Sequence, residues 1–210
     1  QNVFVLTSFN PGSGKSFLTM NIAMSFAIKK KRILVIDGDL RHGSVSSYVD
    51  SPRIGLSDYL GNRVDNCKEI IVKDKKYDNL HILPIGTVPP NPTELLEDGK
   101  LVTLIEALRG EYDYIFIDCP PIDIVADAQI IEKLADRTIF VVRSGLLDRS
   151  MLPELENIYQ EKRFKNLSMI LNGTESAGGR YSYRYGYRHG YRYGYHNGYS
   201  SYYGNKGKMG

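Results

Sequence analysis

Seven residues near the start of the chain, Asn10-Pro11-Gly12-Ser13-Gly14-Lys15-Ser16, combine a glycine-rich turn with a lysine and a hydroxyl. They follow an apolar run, Val3-Phe4-Val5-Leu6, and precede apolar residues at helical spacing from Phe17 to Lys30. A strand, such a turn and a helix start, in that order, form a phosphate cradle, because backbone N–H groups of the turn and first helical residues point at one anion. Gly12 and Gly14 let the backbone approach without a Cβ in the way. In this motif Lys15 reaches the β- and γ-phosphates of a nucleotide and the Ser16 hydroxyl ligates Mg²⁺. The usual pattern carries a glycine five residues before Gly14, where this chain has Phe9; Pro11-Gly12 supplies the turn instead.

Phosphate and Mg²⁺ call for carboxylates nearby. Asp118 ends the apolar run Tyr114-Ile115-Phe116-Ile117, and a strand-end aspartate suits the metal shell, directly or through water. Its plainer reading is a capping residue. Asp37 and Asp39 follow Arg32-Ile33-Leu34-Val35-Ile36, and with one residue between them in extended chain both side chains point to one side. Two carboxylates so placed can divide the work, one on the metal and one accepting a proton from a nucleophile. An exposed acidic turn is the plainer reading here. His42 and His81 lack partners at metal spacing and read as local hydrogen-bonders, and Cys119 reads as a small buried filler.

These groups need elements to hold them. Leu80 to Ile85 reads as a strand, Pro89-Pro90-Asn91-Pro92 as a loop, and Thr93 as the N-cap of a short helix at Glu94-Leu95-Leu96. Leu101 to Leu108, Asp127 to Ala135 and Pro153 to Lys162 read as helices. Thr138 to Val142 and Leu167 to Leu171 read as strands, the last ending at Asn172. Strands alternating with helices predict an α/β fold, a mainly parallel sheet with helices on both faces. Ligands of such sheets sit outside the carboxyl ends of the strands. Asn10 to Ser16, Asp37 with Asp39, Asp118 and Asn172 all fall at those ends, and that coincidence is the strongest argument in the sequence.

At 210 residues and 42% hydrophobic, the chain has room for one domain with a real core and a tail. Two cysteines give no disulfide framework or zinc pattern, which suits a reducing compartment. No apolar run is long enough to span a bilayer and no signal peptide is present, so the chain as given is expected to be soluble. The division predicted is a globular domain at 1–175 and a tail at 176–210. The tail has no acidic residue and six of the 27 Lys and Arg, leaving 21 against 24 acidic residues in the body. The body thus carries −3 and the tail +6, so a nucleic-acid partner for the globular part is not expected. Tyr181, Tyr183, Tyr185, Tyr187, Tyr191, Tyr193, Tyr195, Tyr199, Tyr202 and Tyr203 lie in the tail among Gly, Arg and Ser. From Gly178 on there is no aliphatic residue but Met209, and the tail is expected to be disordered.

The loop Pro11 to Ser16, the strand-end Asp37-x-Asp39-x-Arg41, Ile115-Phe116-Ile117-Asp118, Pro89-Pro90-Asn91-Pro92 before Glu94-Leu95-Leu96, and the terminal tyrosine cluster together resemble the bacterial tyrosine kinases. The resemblance covers nearly the whole chain. It implies a P-loop NTPase-like fold and ATP-dependent autophosphorylation of the ten tail tyrosines in trans, between neighbours of a ring-forming homo-oligomer. It implies that Pro11 to Ser16 hold ATP, that Lys15 and Asp37 are catalytic, with Asp37 the base on the tyrosine hydroxyl, and that Ser16, Asp39 and Asp118 serve Mg²⁺. Asn172 is implied to contact adenine. Family members act with, or are fused to, a membrane-spanning adaptor controlling capsular or exopolysaccharide synthesis and export, which implies the cytoplasmic face of the bacterial inner membrane. The Glu/Arg helix motif that builds the family's ring is not among these residues.

Two other readings compete. Partitioning and cell-division ATPases of the ParA/MinD type share the fold but usually carry a second lysine early in the loop, where this chain has Asn10. The tail, with Arg and Tyr interleaved with Gly, also resembles segments that bind RNA by stacking, or an adhesive end.

Overall fold

The computed structural model describes residues 1–122 and 127–174. Seven strands are β1 (Val3–Thr7), β2 (Ile33–Asp37), β3 (Val72–Lys73), β4 (Leu80–Leu83), β5 (Tyr114–Asp118), β6 (Arg137–Arg143) and β7 (Ser168–Asn172). The helices are α1 (Lys15–Ile28), α2 (Leu56–Leu60), α3 (Pro92–Glu97), α4 (Lys100–Arg109), α5 (Asp127–Glu132) and α6 (Leu152–Gln160). One sheet runs in the order β3-β4-β2-β5-β1-β6-β7, parallel throughout except for β3 against β4.

The short apolar runs become strands buried on both faces, as parallel sheets require. Along β2 the residues alternate between two cores. Ile33 and Val35 pack on one side with Met20, Ala23 and Ala27 of α1, while Leu34 and Ile36 pack on the other with Leu101, Leu104, Ile105 and Leu108 of α4. The four α4 residues are the stripe that the helical spacing predicts. A third cluster joins Phe140 and Val142 of β6 to Ile158 of α6, Phe164 and Phe9.

Phe9, where the usual loop pattern carries glycine, is 2% exposed, and its ring meets that of Phe140 edge-on at 4.9 Å between centroids. The departure from pattern is therefore a core contact. β1, β2 and β5 are adjacent, so the residues at their carboxyl ends converge: Asp37 is the register partner of Asp118, and Leu6 pairs Asp118 from the other side.

Some expectations change. Thr93 does not cap α3; the helix starts at Pro92 with Asn91 before it, and the Thr93 hydroxyl bonds a distant carboxylate instead. The helix expected to reach Ala135 ends at Glu132. Helix α2 and strand β3 have no counterpart in the sequence reading. The tail and its ten tyrosines lie outside the described residues. Among the described residues no helix is long and apolar enough to cross a membrane.

Candidate active site

The glycine turn is fixed by its backbone. Gly12 and Gly14 both have left-handed φ, 72° and 92°, and Gly14 caps α1, with its carbonyl accepting from Leu18 N–H at 2.9 Å. The Ser13 hydroxyl donates to the Asn10 carbonyl at 2.8 Å. Two neighbouring strand ends hold the turn from outside. Arg143, at the end of β6, donates to the Gly12 carbonyl at 2.7 Å, and Asn172 Nδ2, at the end of β7, donates to the Ser13 carbonyl at 2.9 Å. A trans peptide points its C=O and N–H in opposite directions, so tethering these carbonyls turns the N–H groups of Ser13 and Gly14 the other way, where an anion can meet them. Asn172 stands so close that a Cβ on residue 14 would lie 2.3 Å from its Nδ2.

Past the turn, α1 presents Lys15, Ser16 and Thr19. Lys15 is buried, and its Nζ rests on the Ser8 hydroxyl at 3.2 Å. Burial pushes its pKa down, against the pull of Asp118 and Asp39. The Ser16 hydroxyl donates to Asp118 Oδ2 at 2.5 Å, and Thr19 donates to the Lys15 carbonyl at 3.0 Å and reaches Asp118 Oδ1 at 3.4 Å. The hydroxyl and carboxylate expected to share a metal are thus already neighbours.

Asp37 and Asp39 part company. Asp37 is fully buried, and its Oδ2 accepts from both the backbone N–H and the hydroxyl of Ser46, at 2.6 and 2.7 Å. Its Oδ1 is buried without a hydrogen-bond partner. Asp39 Oδ1 accepts from the N–H groups of Arg41 and His42, each at 3.2 Å, and lies 3.3 Å from His42 Nδ1. His42 is therefore a local partner, its pKa raised chiefly by the Asp39 bond. His81 pairs with the Tyr112 hydroxyl at 2.7 Å, and Cys119 is buried, as their plainer readings anticipate.

Burial pushes Asp37 up to about 8, with the neighbouring Asp118 adding to the rise and the Ser46 bonds opposing it. Burial pushes Asp118 up to about 6, opposed by Ser16 and Lys15. Two neighbouring buried carboxyls, one with an unpartnered oxygen, make a place that favours a cation. Among the described residues no group of three or more His, Cys, Asp or Glu is arranged to hold a metal alone. Mg²⁺ is commonly held by one or two carboxylates together with substrate phosphates. Ser16, Asp118 and Asp39 are the groups able to serve it.

Several site residues escape the sequence reading. Ser8 and Ser46 hold Lys15 and Asp37, Arg143 holds the turn, and a half-buried cluster joins Arg41 to helix α5. Arg41 Nε bonds Asp127 Oδ2 at 3.1 Å and its Nη2 bonds the Thr93 hydroxyl at 3.2 Å, while Thr93 donates to Asp127 Oδ1 at 2.6 Å. Asp127 is 1% exposed. The cluster ties the loop after Asp39 to α3 and α5. Arg143 obeys the strand-end rule that singles out Asn172 and was within reach; Ser46 carries no motif.

A glycine turn opening a helix at the carboxyl ends of a mainly parallel sheet, with buried aspartates beside it, defines a P-loop nucleotide-binding protein. A family model described as an AAA domain matches residues 1–166. The tyrosine-protein kinase CpsD of Streptococcus pneumoniae is 34% identical over 181 residues, 85% of this chain and 79% of the relative. The kinase domain of the Escherichia coli tyrosine kinase ETK superposes with a TM-score of 0.76 at 31% identity, covering 87% of this chain and 71% of that one. The septum site-determining protein MinD of Pyrococcus horikoshii, complexed with Mg-ADP, superposes with a TM-score of 0.67 at 26% identity over 81% of this chain and 69% of that one. The chain belongs to the bacterial protein-tyrosine kinases, built on the AAA-domain core.

Proposed function

We propose that the chain transfers the γ-phosphoryl group of ATP to tyrosines in the tail, residues 176–210, of another copy, the domain at 1–175 being the kinase. The observation that carries this reading is the buried Asp37 beside Asp118, next to the Lys15 and Ser16 end of α1. Gly12 to Ser16 hold the phosphates through backbone N–H groups, Pro11 shaping the entry to the turn, and Lys15 leaves Ser8 for the β- and γ-phosphates. Asn172, besides bracing the turn, stands beside it for the base of the nucleotide. Asp37 takes the tyrosine proton as the phenolate oxygen bonds the γ-phosphorus and the bond from that phosphorus to the bridging oxygen breaks, releasing ADP. A carboxyl raised toward the working pH suits a proton acceptor better than one at its ordinary value. Ser16, Asp118 and Asp39 would hold Mg²⁺, which supplies charge neutralisation on the phosphates.

The tail supplies both acceptor and switch. Each phosphotyrosine adds about −1.5 to −2 charge, so three or four overturn a tail of +6. The unmodified basic tail is attracted to the −3 body of a ring neighbour and presents tyrosine to its Asp37; phosphorylation releases it. A membrane adaptor or fused membrane-spanning region places this chemistry at the cytoplasmic face of the inner membrane, in capsular or exopolysaccharide synthesis and export. A MinD-like partitioning role shares the fold but leaves the tyrosine tail without a purpose.

The test is phosphoryl transfer from ATP with Mg²⁺ to a peptide of residues 180–195. Asp37→Asn is expected to lose about 10²-fold or more of the rate while still binding ADP. An unchanged rate in Asp37→Asn removes the base from the proposal.

A further inference from the structure

Strand β7 ends the sheet. It pairs with β6 alone among the described residues, which leaves its other edge of N–H and C=O groups unpaired there. Such an edge invites another strand. Met169 and Leu171, two apart and so on one face, are 60% and 57% exposed. Met169, Leu167 and Phe140 form one side of a groove of about 420 Å³, and Leu152, Leu155 and Tyr159 of α6 form the other. An aliphatic and aromatic groove beside an open edge has the two parts that strand addition uses, backbone pairing and pockets for alternate side chains.

We propose that residues 181–187 of the same chain add to the sheet antiparallel to β7 and lay their tyrosines into this groove. The tail alternates strictly here, with Tyr181, Tyr183, Tyr185 and Tyr187 separated by Ser182, Arg184 and Gly186. That period of two puts four tyrosines on one face of a strand and the polar residues on the other. No other stretch of the chain has four tyrosines in a row at this spacing. Reach agrees with pattern. Residues 173–179, with glycines at 173, 178 and 179, separate Asn172 from Arg180, enough for a return loop that keeps the segment close to the edge. A segment without aliphatic residues cannot build its own core, but a preformed edge and groove supply what it lacks.

Docking hides the first four tail tyrosines and leaves Tyr191 to Tyr203 free. A phosphate on a docked ring would lie in an apolar groove beside Glu156, so modification and docking exclude each other. Given the reading of the tail as phosphoryl acceptor, the distal tyrosines are modified first and the four proximal ones last.

The docking is tested without ATP, so its failure and that of the kinase reading are separate. The whole chain is labelled on its methionine methyl groups, and the Met169 resonance is compared with that of a chain carrying Tyr→Ser at 181, 183, 185 and 187. The expected result is an upfield ring-current shift of Met169 in the intact chain that the four substitutions abolish, with amide exchange of β7 accelerated at least tenfold. Tyr→Ser at 191, 193 and 195 leaves both readings unchanged. The same Met169 shift and exchange with and without the four tyrosines would overturn the proposal. A shift that disappears on dilution would overturn the assignment to the same chain.

Discussion

Asp37 and Asp118 sit directly opposite each other on the adjacent parallel strands β2 and β5, both buried. Each is raised above its ordinary value by burial, to about 8 and about 6. A carboxyl raised on folding stabilises the fold while protonated, so its contribution is complete below its unfolded value near 3.8 and is lost as pH rises through the folded one. The stability of the nucleotide-free protein should therefore fall between about pH 4 and pH 8, Asp118 acting over the lower part of that range. Asp37→Asn keeps an oxygen for Ser46 and removes the charge. It is expected to raise Tm at pH 8 by an amount worth a few kcal/mol, with little gain at pH 4. Thermal melts of both proteins across that range check this; equal melting curves at pH 8 would contradict it. The residue proposed as the base is thus one the resting fold would do better without.

Gly14 and Asn172 make a second relationship that can be measured. Gly14→Ala meets both a left-handed φ of 92° and an Asn172 Nδ2 only 2.3 Å away. Nucleotide affinity is expected to drop more than tenfold. Adding Asn172→Ala removes the clash but not the strained φ, so rescue should be partial. Gly12→Ala, with φ 72° and nothing within 4 Å, carries the strain alone and should cost about 1–2 kcal/mol. Titration with a fluorescent ADP analogue orders the three variants.

The cluster of Arg41, Thr93 and Asp127 predicts strong coupling. Arg41→Ala leaves the buried Asp127 with only Thr93 among the described residues and, the Arg41 side chain being 34% exposed, is expected to destabilise by about 1–3 kcal/mol. Arg41→Met with Asp127→Leu, removing both charges, should cost less than the single change. Urea denaturation of the two singles and the double measures the difference.

Phe9→Gly would restore the usual loop pattern. Because Phe9 packs on Phe140 in the core, the change is expected to cost about 3–5 kcal/mol and to gain nothing in nucleotide binding. Denaturation together with ADP titration decides this.

Much of this was legible in the sequence because parallel sheets write themselves as apolar runs ending in polar residues. Leu34 and Ile36, the α4 stripe, Asp37, Asp118 and the glycine turn all follow from period and position. What was not legible depends on contacts between distant segments. Ser46 folds back on Asp37 from a 3₁₀ turn nine positions further on, where no motif marks it, and Arg143 reaches Gly12 across 131 positions. Thr93 looked like an N-cap because its neighbours are helical, yet a buried carboxylate 34 positions away holds its hydroxyl. Local chemistry predicted the bond-forming group and missed the partner. Phe9 is the converse, a residue that looked like a fault in a motif and is a core contact seen out of context.

The most direct measurement mixes two forms of the whole chain in the presence of ATP and Mg²⁺. One carries Lys15→Met, so that it cannot hold the phosphates but keeps its tail, and the other keeps its loop but has phenylalanine at all ten tail tyrosines. Mass spectrometry of the mixture should find phosphate on the tail of the Lys15→Met chain, rising with the concentration of its partner, and none when the partner also carries Asp37→Asn. A tail that stays unmodified beside an active partner, or phosphate that appears on the Lys15→Met chain alone, would contradict transfer from one copy's loop to another copy's tail.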